Sequence, residues 1–203
     1  MIKLALAAAA ALVSTLTPTG FKTGQPTAST MLVEYGSLHC PHCAAFAAEA
    51  MPEITRRVRA GRLQFEFRPF LIFPQDIPAT LIARCVPAPR RIAFVEDYYR
   101  NSAAVTQRVR AAAGELNGMR DQGMPALNRK VVAVGQMKPI AARHGLAPAA
   151  VDKCVADPTN MAWLEAAQQS AQAAGVKGTP TFEVNGQRTP ITDLQSLRAA
   201  LDR

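Results

Sequence analysis

Met31-Leu32-Val33-Glu34-Tyr35-Gly36-Ser37-Leu38-His39-Cys40-Pro41-His42-Cys43 is the stretch that decides the fold. Its first half is short, apolar and partly β-branched, and reads as a buried strand. Its second half opens a helix. Pro41, at the first helical position, has its φ pre-set and lacks only an N–H that would be unpaired there anyway. Ala44, Ala45, Phe46, Ala47 and Ala48 carry the helix on, Pro52 is expected to kink it, and Gly61 to end it. Leu63-Gln64-Phe65-Glu66-Phe67 then alternates apolar and polar as a second strand. Strand, helix and strand in quick succession predict a βαβ unit with a parallel sheet, in the α/β class.

Outward from this unit the pattern changes. From Ile77 to Pro158 it is helical and punctuated by Pro and Gly, with Ile92, Val95 and Tyr99 on one stripe and Met137, Ile140 and Ala141 on another. This predicts three or four short helices, with residues 101–127 giving the weakest signal. A long helix follows from Thr159 to Ala174, with Met161, Leu164, Ala167, Ala171 and Ala174 on one stripe and Gly175 as its stop. Thr181-Phe182-Glu183-Val184 reads as a strand, Asn185-Gly186 as a hairpin turn, and Gln187 to Pro190 as a short return strand. Thr192 with Gln195 predicts a capping box before a last helix whose Leu194, Leu197 and Leu201 face inward.

With 203 residues, 49% of them hydrophobic, the chain can bury a substantial core. Met1-Ile2-Lys3 is a short basic start, Leu4 to Leu16 is almost wholly apolar, and Thr17-Pro18-Thr19-Gly20 breaks the run. That run is short of the ~20 apolar residues a membrane span needs, so residues 1–20 read as a secretory leader, with an uncleaved anchor as the alternative. The polar stretch Thr17–Thr30 then precedes the first strand. Export favours pairing of the four cysteines, because thiols oxidise outside the cytosol. The net charge of +8 is spread over scattered Arg and Lys without a nucleic-acid motif. It reads as a solvated basic surface and not as a nucleic-acid interface.

Cys40 and Cys43 lie three apart on the first turn of a helix, so both fall on one face, close enough to join and to separate. Unpaired N–H groups and the positive end of the helix dipole converge on the first sulfur. With His42 able to add a donor or a positive charge, the Cys40 pKa should fall well below that of a free thiol. Stabilising that thiolate stabilises the reduced form, and so makes the disulfide a stronger oxidant. The spacing is shared with zinc ribbons, so a metal site of His39, Cys40, His42 and Cys43 is an alternative. It is disfavoured because adjacent His39 and Cys40 point in different directions and no second Cys-x-x-Cys is present.

The motif Val33-Glu34-Tyr35 before His39-Cys40-Pro41-His42-Cys43, the Arg68-Pro69-Phe70 after the second strand, and Gly178-Thr179-Pro180-Thr181-Phe182-Glu183-Val184-Asn185-Gly186 together resemble the DsbA-like branch of the thioredoxin superfamily. The resemblance covers Met31 to Arg203. It implies a thioredoxin-like core in residues 30–76 and 159–203 with a helical insertion at 77–158. It also implies a cis proline at Pro180 that turns the Thr179 backbone toward a bound extended peptide. Glu34 matches the family's acid beneath the second cysteine, exchanging a proton with Cys43; an exposed strand-end Glu is the alternative. In one branch of the family a second pair cross-links the helical domain, which would be Cys85 with Cys154 here; two buried free thiols are the alternative.

The implied activity is a periplasmic thiol–disulfide oxidase. It would give the Cys40–Cys43 disulfide to reduced or unfolded exported proteins and be reoxidised by a quinone-linked, DsbB-like membrane partner. It is expected to work as a monomer, with no metal and no cofactor beyond that disulfide. The competing readings are a disulfide isomerase or reductase, which Thr179 before Pro180 favours, a copper- or zinc-handling protein, and a peptide-binding scaffold in which the motif is structural.

Overall fold

The computed structural model describes residues 12–202. Two short strands, β1 (Ser14–Leu16) and β2 (Phe21–Thr23), form a hairpin ahead of the predicted core strand β3 (Thr30–Gly36). Then come α1 (Pro41–Arg59) and β4 (Leu63–Pro69), as the βαβ pattern requires, with β3 and β4 parallel and in register from Thr30↔Leu63 to Gly36↔Pro69. α1 is continuous through Pro52, and Gly61, at φ 69°, takes the left-handed conformation that ends it.

The helical region is more elaborate than the three or four short helices expected. It holds α2 (Asp76–Cys85), α3 (Arg91–Ala111), α4 (Ala113–Asn117), α5 (Met124–Gly135), α6 (Met137–Arg143) and α7 (Pro148–Cys154), with two 3-10 turns between them. α3 alone has 21 residues and runs into the stretch with the weakest sequence signal, up to Ala111. Its buried residues, among them Phe94, Tyr98, Ser102, Val105 and Val109, follow the helical repeat, but a buried serine breaks the apolar stripe.

α8 (Pro158–Ala173), β5 (Thr181–Val184), β6 (Gln187–Thr189) and α9 (Leu194–Leu201) complete the chain. Asn185 and Gly186, at φ 51° and 79°, make the hairpin turn that their sequence predicts. The capping box lies one residue later than expected. Asp193 accepts from the Ser196 N–H, and the Ser196 hydroxyl receives the Asp193 N–H, because a carboxylate outcompetes the Thr192 hydroxyl for the cap.

Among the described residues six strands run in the order β1-β2-β4-β3-β5-β6, and of their pairs only β3–β4 is parallel. The two faces of β3 go to different partners. Leu32 packs into the main core with Cys43, Ile54 and the α2 and α3 side chains, whereas Val33 and Tyr35 pack with Ala171 and Val176 at the end of α8. Glu34, alternating with Val33, therefore points to the α1 side.

A leader running to residue 20 does not agree with this arrangement. β1 pairs with β2 and β2 with β4, Trp163 donates to the Thr17 carbonyl at 2.9 Å, and Arg91 holds the Ser14 carbonyl at 3.2 Å. The polar break at Thr17–Gly20 is the hairpin turn itself. A Cβ on Gly20 would come within 2.2 Å of the Phe67 carbonyl oxygen, so this turn lies directly against the sheet. The apolar residues before Leu12 lie outside the described residues.

Candidate active site

Cys40 is the N-cap residue of α1, with extended backbone at φ −78° and ψ 119°. Its sulfur accepts the Cys43 N–H at 3.4 Å, one of the donors that every helix start leaves unpaired. The Cys40 thiol is lowered to about 5. The first cause is a hydrogen bond from the Cys43 thiol, and the Thr179 side chain and the backbone of Cys43 and His42 add to it against the opposing effect of burial. Cys43 moves the other way. Its thiol is held protonated by donating to Cys40, by burial and by the neighbouring Glu34 carboxyl. The two sulfurs are not bonded to each other, and Cys40 is 4% exposed and Cys43 fully buried.

His42 contributes differently from expectation. Its side chain is exposed, and what helps the Cys40 sulfur is its backbone N–H. The local reason is geometric: at the second helical position a side chain projects outward while its N–H points back to the cap.

The Gly178–Pro180 loop faces this pair from β5. The Thr179–Pro180 peptide is cis, and the Thr179 carbonyl accepts from the Cys40 thiol at 3.4 Å. The Thr179 hydroxyl is buried without a hydrogen-bond partner among the described residues, and it favours the anionic form of both cysteines. A buried donor in want of an acceptor suits a sulfur that carries charge during part of its cycle.

Glu34 lies on β3 between Phe67 of β4 and Phe182 of β5, which are its register partners. It is 1% exposed. Burial first, and the Cys40 thiolate second, push its carboxyl up to about 8. The exposed strand-end alternative is thereby ruled out. With Cys40 losing its proton first, the neutral-pH state is a Cys40 thiolate over a protonated Glu34.

The helix start is fixed by residues that the sequence pattern did not single out. Asp76, fully buried at the first turn of α2, accepts from the Ser37 hydroxyl at 2.9 Å, from the His39 N–H at 3.1 Å, and from the Ile72 and Phe73 N–H groups at 2.9 Å. His39 is buried beside it, with Nδ1 on the Thr106 hydroxyl and Nε2 on the Tyr98 hydroxyl, each at 2.9 Å. Burial pushes this imidazole down to about 4, so it is neutral. The metal alternative needs His39, whose two ring nitrogens are both taken, and no cluster of three or more His, Cys, Asp or Glu among the described residues has the geometry to hold an ion. Asp76 carried a faint signal, an acid in the first turn of a helix after a Pro-Gln loop. Tyr98 and Thr106 carried none.

Cys85 and Cys154 are joined in a disulfide across 69 residues of chain. Asn160 of α8 lies over the bridge, donating to the Cys154 carbonyl at 3.1 Å and accepting from Arg84 at 2.8 Å.

Known proteins share this architecture. Residues 16–203 match the family model described as thioredoxin. A crystal structure of a protein-disulfide isomerase from Novosphingobium aromaticivorans superposes with a TM-score of 0.77 at 25% identity, covering 95% of this chain and 100% of that one. Wolbachia pipientis alpha-DsbA1 follows at TM-score 0.72 and 19% identity, covering 92% and 91%, a likeness of fold. A Rickettsia bellii protein provisionally named a protein-disulfide oxidoreductase is 25% identical over 185 residues, 89% of this chain, and the chain spans 62% of that relative's length. A parallel β3–β4 pair, a Cys-Pro-His-Cys helix start, a facing cis proline and a helical insertion thus occur together in one chain, which belongs to the thioredoxin family.

Proposed function

We propose that this protein is an exported thiol–disulfide oxidase that donates a Cys40–Cys43 disulfide to reduced proteins. The observation that carries the reading is the Cys40 thiol, lowered to about 5 by the donors at the start of α1. A thiolate that stable is a good leaving group and a stable reduced product, with each ~1.4 kcal/mol worth about 30 mV in a two-electron couple. In the forward reaction a substrate thiolate attacks the Cys40 sulfur, the Cys40–Cys43 bond breaks, and the electron pair passes to Cys43. Glu34 supplies the proton that Cys43 then holds. A second substrate thiolate attacks the substrate sulfur of the mixed disulfide and releases Cys40 as thiolate. Substrate leaves with a disulfide, and the enzyme with one thiolate and one thiol.

Reduced enzyme is returned to the disulfide by a quinone-linked, DsbB-like membrane partner in the periplasm, and the enzyme acts as a monomer with no other cofactor. Extended substrate lies along Thr179 and Pro180, whose carbonyl already faces the reactive sulfur. An isomerase role is the second reading, supported by Thr179 before Pro180 and by the likeness to the Novosphingobium protein-disulfide isomerase.

The test is the redox equilibrium of the pair against glutathione, with the Cys40 thiolate titrated by its ultraviolet absorbance. An oxidase gives a thiolate that persists until the pH falls through about 5, and a disulfide that glutathione reduces readily. A thiol titrating like free cysteine would sink the oxidase reading. Rescue of scrambled substrates by the reduced form, without net oxidation, would favour the isomerase.

A further inference from the structure

We propose that His39 is the positioning residue of the reactive centre, gripped by the helical insertion at both its backbone and its ring, so that α2 and α3 set how readily Cys40 carries charge. The proposal rests on the oxidase reading above and adds which residue tunes the disulfide that is donated.

An N-cap side chain reaches the open N–H groups of its helix only while its own backbone stays extended. Cys40 meets that condition, and the turn before it is held from several sides. The Cys40 N–H donates to the Ser37 carbonyl at 3.1 Å. The His39 N–H is shared between Asp76 at 3.1 Å and the Ser37 hydroxyl at 3.2 Å, and that hydroxyl donates to Asp76 in turn. Asp76 also takes the Ile72 and Phe73 N–H groups, so the reactive turn is tied to the start of α2.

The His39 ring is gripped by α3. Tyr98, Ser102 and Thr106 lie four apart, on one face of that helix. Tyr98 and Thr106 set their hydroxyls on the two ring nitrogens at 2.9 Å, and the Ser102 backbone adds a further hydrogen bond. The Ser102 hydroxyl turns back onto the Tyr99 carbonyl at 2.9 Å, which satisfies it without crowding the ring. The stripe is apolar one turn earlier, at Phe94, and becomes polar where α3 comes alongside the reactive turn. Burial keeps the Tyr98 hydroxyl protonated. A neutral imidazole has one donor and one acceptor, so the arrangement that pairs every buried hydrogen has Tyr98 donating to Nε2 and Nδ1–H donating to Thr106. An apolar side chain would fill the same space with none of these partners, whereas a fully paired polar network fixes a single orientation. That orientation is imposed one residue from the nucleophile. The ring is neutral, so it acts on Cys40 by where it holds the backbone and not by charge.

The experiment titrates the Cys40 thiolate of the reduced whole protein by ultraviolet absorbance and measures its redox equilibrium with glutathione. Thr106→Val and Tyr98→Phe, each close to the native size, should each raise the thiolate midpoint by about one pH unit and weaken the disulfide as an oxidant about tenfold. Thr106→Ser keeps the hydroxyl and should keep the native midpoint. His39→Phe should show the same shift, and Thr106→Val added to it should shift nothing further, because both act through one ring. Val105→Ala, on the same helix but fully buried among apolar residues, should lower stability and leave the midpoint alone. Unshifted midpoints in Thr106→Val and Tyr98→Phe, beside a native Cys40 that titrates low, overturn the positioning role and leave the oxidase reading standing. A shift in Val105→Ala as large as theirs marks general loosening of α3 and overturns it too. A native Cys40 that titrates like free cysteine overturns both readings.

Discussion

The two cysteine pairs of this protein occupy opposite ends of helices. Cys40 caps the N-terminus of α1, where N–H groups and the helix dipole welcome negative charge on sulfur. Cys85 is the last residue of α2 and Cys154 the last residue of α7, where carbonyls converge and the dipole is negative. The same bond placed at these two kinds of site behaves in opposite ways. On the proposed function, the stabilised thiolate at the N-terminus makes a Cys40–Cys43 disulfide easy to give away, whereas the dipole at paired C-termini disfavours negative charge on sulfur, so that disulfide is kept. A chain with four cysteines thus separates a reagent from a crosslink by helix polarity and burial, without any difference in residue type.

The severest challenge to this contrast is to measure both potentials in one protein. The Cys40–Cys43 couple should lie at least about 100 mV above the Cys85–Cys154 couple, the separation typical of donors and structural bridges. Thiol trapping in graded glutathione buffers checks it, and equal potentials would end the helix-end explanation.

Removing the crosslink comes next in size. The double variant Cys85→Ala, Cys154→Ala should lose about 4 kcal/mol of stability in denaturant unfolding, from the loop of 69 residues it closes. The Cys40 thiolate titration should be unmoved, since the bridge is no part of that site.

Acid probes the active-site end of the contrast. His39 has its folded pKa pushed below the unfolded 6.5 to about 4, so the neutral ring stabilises the fold above 6.5. That contribution is lost as pH falls from 6.5 through 4, a change of up to about 3 kcal/mol. His39→Gln should flatten the decline in a pH series of unfolding curves. Glu34 has the opposite sign. Its pKa is raised to about 8, so its contribution is present below 4.5 and lost as pH rises through 8, and Glu34→Gln should remove the alkaline loss.

The smallest effect tests a helix start that carries no chemistry. Asp193→Ala should lower stability slightly through the lost cap on α9 and leave both cysteine pairs as they were. Thermal unfolding together with the thiolate titration would show it.

The elements that the chain announces by itself are those built from local rules. β3, α1 and β4 follow from alternation, a proline at the helix start and a glycine at its end, and the last hairpin follows from Asn185-Gly186. The reactive centre was legible for the same reason, since Cys40, Pro41 and Cys43 share one helical turn. β1 and β2 were not. Three-residue strands have too little periodicity to register, and residues 14–20 read as the end of a leader until Trp163 and Arg91 are seen to hold Thr17 and Ser14.

Sequence alone therefore determined where a nucleophilic sulfur would sit and which helix end would charge it, because a dipole and a cap depend only on neighbours along the chain. Only the tertiary structure decided what surrounds that sulfur. Asp76 at the start of α2 and Tyr98 and Thr106 of α3 hold His39, the residue before it, and Phe182 of β5 flanks Glu34. Burial of a carboxyl between strands is a property of packing, and packing joins residues whose separation in sequence carries no mark of their contact.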